Sequence, residues 1–194
     1  MKKILIAVGV VVVGAVGWYL GSPLFIDKEV NEAFPAWPTP DEIAKMAPDE
    51  RAAARDKTLK EAASMPGKTM EEAMPPSAPK LLGQGRFRDV DAIHKGSGDA
   101  KLYRMPDDSL LVRLENLDVA NGPDLYVYLV KHADPATDDD VTDGGYVSLG
   151  KLKGNKGNQN YPVPTGTKAE EYGSIVVWCQ LFGVLFSPAA LKKS

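Results

Sequence analysis

From residue 81 to the C-terminus, the sequence consists of short runs of alternating apolar and polar residues, separated by glycine, aspartate and asparagine. Alternation with a period of two is typical of β-strands, and the residues between the runs favour turns. We predict strands at 85–90, 100–105, 109–115, 125–130, 146–152, 174–182 and 183–187, with a glycine- and asparagine-rich turn at 153–160. About eight to ten strands predict an all-β domain, either an antiparallel β-sandwich or a small barrel.

The most apolar of these runs, at 174–182, contains Cys179, the only cysteine of the chain. Its β-branched and aromatic residues favour a strand, and both of its faces are apolar, which is typical of a central strand. Side chains alternate across a strand. We therefore expect Ile175, Val177 and Cys179 to share one face, and Val176, Trp178 and Gln180 to share the other.

The N-terminus has a different character, because Lys2 and Lys3 precede a stretch without charged residues from Ile4 to Ile26. About 20 apolar residues suffice to cross a bilayer, and lysines before the stretch place the N-terminus in the cytoplasm. We predict an uncleaved, single-pass transmembrane anchor at 1–26, with the C-terminal domain extracytoplasmic, either periplasmic or on the cell surface. A cleaved signal peptide is the alternative, but no clear Ala-x-Ala cleavage site follows the apolar stretch.

Residues 27–80 are rich in proline and alanine, and we predict that they form a partly helical spacer. Strong helix formers at 49–63, with Pro48 in the first turn, predict one helix, and a shorter helix is expected at 39–46. The predicted organisation is an anchor at 1–26, a spacer at 27–80 and a β-domain at 81–194. The net charge of −3 gives no reason to expect nucleic acid as a partner.

A single cysteine cannot form an internal disulfide bond, so Cys179 is either a buried hydrophobic residue or a functional thiol. His94, in a glycine-rich turn, is the best candidate for a partner that would activate the thiol or share a ligand with it. The alternative for His94 is a turn histidine bonded to backbone. With only two histidines in the chain, a histidine cluster is excluded.

No pattern in the sequence predicts a metal site or a hydrolase. The aspartates at 134–143 lack the alternate acids, central glycine and terminal glutamate of an EF-hand, so we expect a solvated loop. No Gly-x-Ser-x-Gly, His-Glu-x-x-His or carboxylate pair is present. Whether the chain is an enzyme is left undecided, although these absences favour an electron-transfer or binding domain over a catalyst with its own substrate.

Several motifs in a fixed order resemble those of the DM13 domain family, over residues 81–191. They are Gly-Arg-Phe at 85–87, His-Lys-Gly-Ser-Gly-Asp-Ala at 94–100, Leu-Val-Arg-Leu-Glu at 111–115, Asn-Gly-Pro-Asp-Leu-Tyr-Val-Tyr-Leu at 121–129, the run at 149–161, Val-Val-Trp-Cys-Gln-Leu-Phe at 176–182 and Phe-Ser-Pro-Ala-Ala-Leu at 186–191. The resemblance implies a β-rich, extracellular or membrane-tethered module that takes part in electron transfer. It further implies that Cys179 acts either as a bare thiol or as a ligand to a prosthetic group such as haem.

Without a Cys-x-x-Cys-His motif, such a haem would be bound non-covalently, with Cys179 and His94 as the cofactor-binding residues. Two functions therefore stand side by side. The first is electron transfer or thiol redox chemistry centred on Cys179, in which electrons are exchanged with a redox partner protein. The second is a non-catalytic binding or assembly module in which Cys179 is a core residue.

Overall fold

A computed structural model of the chain describes residues 2–21, 26–35, 45–64 and 78–194. The predicted helix at 39–46 lies largely outside these residues. The described helices are α1 (Lys2–Gly21), α2 (Pro48–Ser64) and α3 (Asp138–Thr142), with a 3-10 helix at Ala169–Glu171. The strands are β1 (Glu29–Asn31), β2 (Lys80–Arg86), β3 (Gly96–Arg104), β4 (Leu110–Val119), β5 (Leu125–Val130), β6 (Tyr146–Lys151), β7 (Lys156–Pro162), β8 (Ser174–Cys179), β9 (Val184–Ala190) and β10 (Lys192–Lys193).

The strands form two sheets, and neither closes into a barrel, so the predicted β-sandwich is confirmed and the small barrel is not. The larger sheet has the order β1-β7-β4-β3-β2-β10, and the smaller has the order β6-β5-β8-β9. Neighbouring strands pair antiparallel, except that β1 pairs parallel with β7. The β8 strand is central in the smaller sheet, as predicted.

The main core lies between the two sheets, and it receives one face of each central strand. Ile175, Val177 and Cys179 of β8 belong to this core. Val176 and Trp178 belong to a second cluster on the opposite face, where Val141 of α3 and Leu185 of β9 cover them. The predicted division into two faces is confirmed for residues 175–179, whereas Gln180 lies beyond the end of β8 and is exposed.

Two residues on the outer face of β4 are buried, which the alternation in this strand does not predict. Leu110, Val112 and Leu114 face the main core, but Leu111 and Arg113 on the other face are also buried. The chain segment before the β-domain explains part of this burial: the Arg113 Nη1 donates to the carbonyl oxygen of Glu32 at 2.7 Å.

Two other local predictions had different outcomes. The helix expected at 49–63 is confirmed as α2, with Asp49 and Glu50 in its first turn, where the helix dipole favours acids. The turn expected at 153–160 is wrong in part, because β7 begins at Lys156 and pairs with β4 and β1. Asparagine and glycine favour turns, but the residues of β7 pair with strands on both sides, and this pairing outweighs their preference for turns.

The apolar N-terminal stretch, predicted as a transmembrane anchor, forms α1 over Lys2–Gly21. Among the described residues, no helix has both the length and the apolar character needed to cross a membrane. Large apolar side chains of α1, such as Val11, Val13 and Trp18, are exposed.

Candidate functional site

Cys179 is the last residue of β8 and lies at one end of the sandwich. Its side chain is 0% exposed, and it is a free cysteine. It lies opposite Leu125 of β5 and Val184 of β9. The chain reaches the surface directly afterwards, because Gln180, Leu181 and Phe182 are all exposed. The thiol is therefore buried, but only one residue away from a surface turn.

The turn before β5 covers the thiol. The Sγ of Cys179 donates to the carbonyl oxygen of Pro123 at 3.0 Å, and the backbone N–H of Gln180 donates to the carbonyl oxygen of Asp124 at 3.1 Å. Asp124 has a φ of 61°, a left-handed conformation that aspartate tolerates better than most residues. Asn121–Asp124, predicted as a turn from its sequence, thus closes the sandwich over Cys179.

Phe186 supports this turn from the β9 side. The register between β8 and β9 shifts after Val177, and Phe186 is the extra residue in the resulting bulge. Its ring is buried in the same core cluster as Cys179. Gly122 packs closely against it, since a Cβ at Gly122 would lie 2.5 Å from the Phe186 Cζ. Only glycine therefore fits at this position without a displacement of the ring.

His94 reaches the same end of the sandwich through Phe186. The two ring centroids are 4.5 Å apart in an edge arrangement. The Nδ1 of His94 lies 2.7 Å from the Asp91 Oδ2, while the backbone N–H groups of Ile93 and His94 both donate to the Asp91 Oδ1 at 2.7 Å. The N–H and ring of His94, with the N–H of Ile93, lower the pKa of Asp91 to about 2.

His94 and Cys179 are not hydrogen-bonded to each other in the part of the chain that the structure describes. Cys179 contacts the Asn121–Asp124 turn directly, through the Pro123 carbonyl oxygen. His94 reaches the same turn only through the Phe186 ring, which packs against Gly122. This arrangement does not fit haem, because an iron ligand must be a thiolate with an open side. The Cys179 sulfur instead donates a hydrogen to a carbonyl inside a packed core.

The acidic loop is engaged in structural contacts. Asp140 accepts from the backbone N–H groups of Ala136 and Thr137, which lowers its pKa, and Asp138 accepts from the backbone N–H of Leu185 at 2.7 Å. Within the described residues, no group of three or more histidine, cysteine or acidic side chains could hold a metal ion. Asp140 thus caps the start of α3, and Asp138 holds α3 against β9.

Exposed apolar side chains lie close in sequence to both Cys179 and His94. Leu181 and Phe182, in the turn between β8 and β9, are 51% and 62% exposed, and Ile93, next to His94, is 74% exposed. Contiguous apolar surface is typical of protein interaction sites, whereas isolated exposed apolar residues are ordinary. Leu181 and Phe182 are adjacent, and they follow Cys179 directly in sequence.

The family model for the electron transfer domain DM13 matches residues 87–191, which is more than half of the 194-residue chain. The chain belongs to the DM13 family. The match contains Cys179, His94, Phe186 and the Asn121–Asp124 turn, so the whole end of the sandwich lies within the DM13 domain. No curated protein and no solved structure matches the chain.

The sequence predicts Cys179 and His94 as site residues, but it does not predict the contacts of Pro123 with Cys179 and of Phe186 with His94, through which the two are connected. A signal for Pro123 was present, since a turn with Asn-Gly-Pro-Asp precedes the strand that pairs with β8. The position of Phe186 depends on the β-bulge, and the run at 183–187 alone does not fix the register of a bulge.

Proposed function

We propose that this DM13 protein is an electron-transfer module in which the thiol of Cys179 is the redox-active group. The position of Cys179 supports this most directly: it is the last buried residue before a surface turn, and a single hydrogen-bonded turn covers it. The family description, electron transfer, agrees with this proposal.

The chemistry that suits a lone thiol is exchange with a disulfide of a partner protein. The Cys179 thiol loses its proton, and the thiolate attacks one sulfur of the partner's disulfide. The partner's sulfur–sulfur bond breaks as a bond forms between Cys179 and the attacked sulfur. The second sulfur leaves as a thiolate and takes up a proton. A thiolate of a second partner, a reduced dithiol protein, then attacks the Cys179 sulfur of the mixed disulfide, and the first partner leaves as a dithiol. The other thiol of the second partner attacks in turn, which forms the second partner's disulfide and releases the Cys179 thiol, so that two electrons have passed from the second partner to the first.

For this exchange, the Asn121–Asp124 turn must open, because in the closed form Cys179 is completely buried. Local opening of a surface turn costs less free energy than unfolding of the whole domain. Leu181 and Phe182 provide an exposed apolar surface beside the thiol, suited to docking of the partner. Docking there would place the partner's disulfide next to the turn that covers Cys179.

The test is reaction of the folded full-length chain with a small aromatic disulfide, followed by intact mass analysis and release of the coloured thiol. One equivalent of mixed disulfide on Cys179 is expected under conditions in which the chain stays folded, and none in Cys179→Ser. If Cys179 reacts only as fast as the whole domain unfolds, the proposal fails.

One observation favours a second function, that of a binding or assembly module. Cys179 is packed among Ile175, Val177 and Leu125 in the main core, which suits a structural residue. In that case the exposed Leu181 and Phe182 would contact a partner without redox chemistry. The same reaction with an aromatic disulfide separates the two functions, because a structural cysteine would stay unmodified until the domain unfolds.

We further propose that the DM13 domain is extracytoplasmic and that the N-terminal stretch holds it at a membrane. The support is the sequence of residues 1–26, with two lysines before an uncharged stretch, and the exposed apolar side chains of α1. The test is fractionation of the native host with protease treatment of intact cells or spheroplasts. The domain should sediment with membranes and be degraded by external protease; a domain that is soluble or protected overturns this proposal.

A further inference from the structure

Residues 27–35, which lie outside the DM13 match, run along the edge of β7. Three of them form β1, which pairs parallel with β7 in the register Glu29 with Lys156, Val30 with Gly157 and Asn31 with Asn158. A free strand edge is a template for any extended chain that supplies matching N–H and C=O groups. Here the chain's own N-terminal segment occupies that edge.

The first part of the segment is bound by Asn155. Its Oδ1 accepts from the backbone N–H of Lys28 at 2.6 Å, and its Nδ2 donates to the Asp27 Oδ1 at 2.8 Å. The Lys156 Nζ lies 2.8 Å from the Asp27 Oδ2. One residue of the β7 side thus binds both the backbone and a carboxylate of the segment.

Glu32 is the centre of the contact. It is 4% exposed, and its carboxylate accepts from the Lys153 Nζ at 2.7 and 2.9 Å and from the Asn160 backbone N–H at 2.8 Å. The Arg113 Nη1 donates to the Glu32 carbonyl oxygen at 2.7 Å. A buried carboxylate is tolerated only when it is paired and hydrogen-bonded, so this position selects for glutamate.

Two glycines of the β7 side are shaped to the segment. A Cβ at Gly154 would overlap the Lys28 carbonyl oxygen, and a Cβ at Gly157 would overlap that of Val30. The backbone of the segment therefore approaches closer than a side chain on either residue would allow. Glycines in such a run favour a turn, whereas these two contact the backbone of a segment more than 120 residues earlier in the chain.

The last part of the segment is bound by side chains. The Asn160 Nδ2 donates to the Ala33 carbonyl oxygen at 2.7 Å, and the Phe34 ring packs edge-on against Tyr103 with centroids 5.0 Å apart. Pro35 is buried. From Asp27 to Pro35, backbone groups, two carboxylates and an aromatic ring all have partners on the DM13 domain.

We propose that the β7 edge of the DM13 domain is a peptide-binding site for an extended acidic segment, with a glutamate at the Glu32 position and an aromatic ring two residues later. In this chain the ligand is its own residues 27–35, bound as an added strand. The site is separate from Cys179, and the proposal does not depend on the redox function.

The test keeps the full chain, with protease recognition sequences placed in 22–25 and in 36–44. Cleavage after folding frees the segment that contains 26–35 and leaves both sheets in place. An excess of labelled synthetic peptide 26–35 is then expected to replace the freed segment, as measured by fluorescence anisotropy. Because a glutamine at this position would lose the charge-assisted bonds that the carboxylate accepts from Lys153, we expect the Glu32→Gln peptide to bind at least about tenfold more weakly.

The Glu29→Gln peptide is the matched control. Glu29 is exposed, and the bond that its side chain accepts comes from Asn31 within the segment itself. It should bind like the native peptide. If no peptide binds, or if both substitutions weaken binding equally, the β7 edge does not select its ligand and the proposal is overturned.

The DM13 side supplies an independent check through Lys153. In a cleaved Lys153→Met chain, the native and Glu32→Gln peptides should bind within about threefold of each other, because the pair that distinguishes them is gone. Lys151→Met is the control, since Lys151 pairs with Asp124 instead. A tenfold preference that survives Lys153→Met would contradict the role of Glu32.

Discussion

The thiol of Cys179 donates a hydrogen bond of 3.0 Å to the carbonyl oxygen of Pro123, and this contact closes one end of the β-sandwich. The bond joins the last residue of β8 to the turn that enters β5, its neighbour in the sheet. It gives a buried polar hydrogen a partner, as burial requires. Whether that turn opens decides if Cys179 is a core residue or a redox group.

Removal of the thiol should lower stability moderately. Cys179→Ala leaves a small cavity in the core and a carbonyl without its donor, so we expect the free energy of unfolding to fall by about 1–3 kcal/mol. Cys179→Ser retains a donor for Pro123 and should be at least as stable as Cys179→Ala. Urea unfolding measures both. A serine variant that is clearly less stable than the alanine variant would show that the Pro123 bond contributes nothing.

The fit of Gly122 against Phe186 predicts a variant in which the thiol is easier to reach. A methyl group at Gly122 would lie 2.5 Å from the Phe186 ring, so Gly122→Ala should destabilise the closed turn. Overpacking typically costs about 1–3 kcal/mol, which corresponds to roughly a fivefold to hundredfold rise in turn opening. The rate of Cys179 modification in the folded chain should rise by that factor.

Gly166→Ala serves as the control for the Gly122 variant. Gly166 has a φ of 86°, which strains the backbone of any larger residue, but a Cβ there meets no atom within 4 Å. It should destabilise the chain without a change in the rate of Cys179 modification. Equal acceleration in both variants would mean that modification follows general destabilisation.

The loop that carries His94 should respond to acid. The pKa of Asp91 is lowered from 3.8 to about 2, chiefly because the His94 backbone N–H, its ring and the Ile93 N–H donate to the carboxylate. A lowered pKa means that these bonds stabilise the loop above about pH 3.8 and are lost as the pH falls through about 2. The NMR signals of the Ile93 and His94 amides should therefore shift with a midpoint near pH 2. Asp91→Asn should abolish the transition; a midpoint near 4 would contradict the hydrogen bonds.

Gly157→Ala should detach β1 from the sheet. The φ of 97° already strains any residue with a Cβ, and the added methyl group would also overlap the Val30 carbonyl oxygen. We expect faster hydrogen exchange at the Glu32 N–H, which donates to the Asn158 carbonyl oxygen at 2.8 Å. Gly150→Ala is the control, because Gly150 has a similar φ of 107° with open space around it. Unchanged exchange at Glu32 in Gly157→Ala would show that β1 tolerates the contact.

The sequence predicted features that depend on local pattern. The alternation in β8 correctly placed Cys179 and Trp178 on opposite faces, because successive side chains of a strand point to opposite sides of the sheet. The run at 125–130 and the helix after Pro48 were also predicted well, since a turn and a proline delimit them.

Features that depend on distant parts of the chain were not predictable in this way. The pattern at 109–115 does not predict that Arg113 is buried, because it is covered by Glu32, 81 residues earlier in the chain. Glycine in a sequence favours a turn whether or not another segment packs against it, so the pattern around Gly154 and Gly157 did not predict their contacts with residues 28–30. For the same reason the link from His94 to Pro123 through Phe186 could not be predicted, since it requires the bulge in β9.

The rate at which Cys179 is modified in the folded chain tests the central claim most directly. Folded full-length protein is treated with an excess of a thiol reagent, and its modification rate is compared with that of urea-unfolded protein and with the global unfolding rate. If Cys179 is the redox group, modification should be slower than in the unfolded chain but clearly faster than global unfolding, because only the Asn121–Asp124 turn must open. Modification at the rate of global unfolding would make Cys179 a core residue and contradict the proposed electron-transfer role.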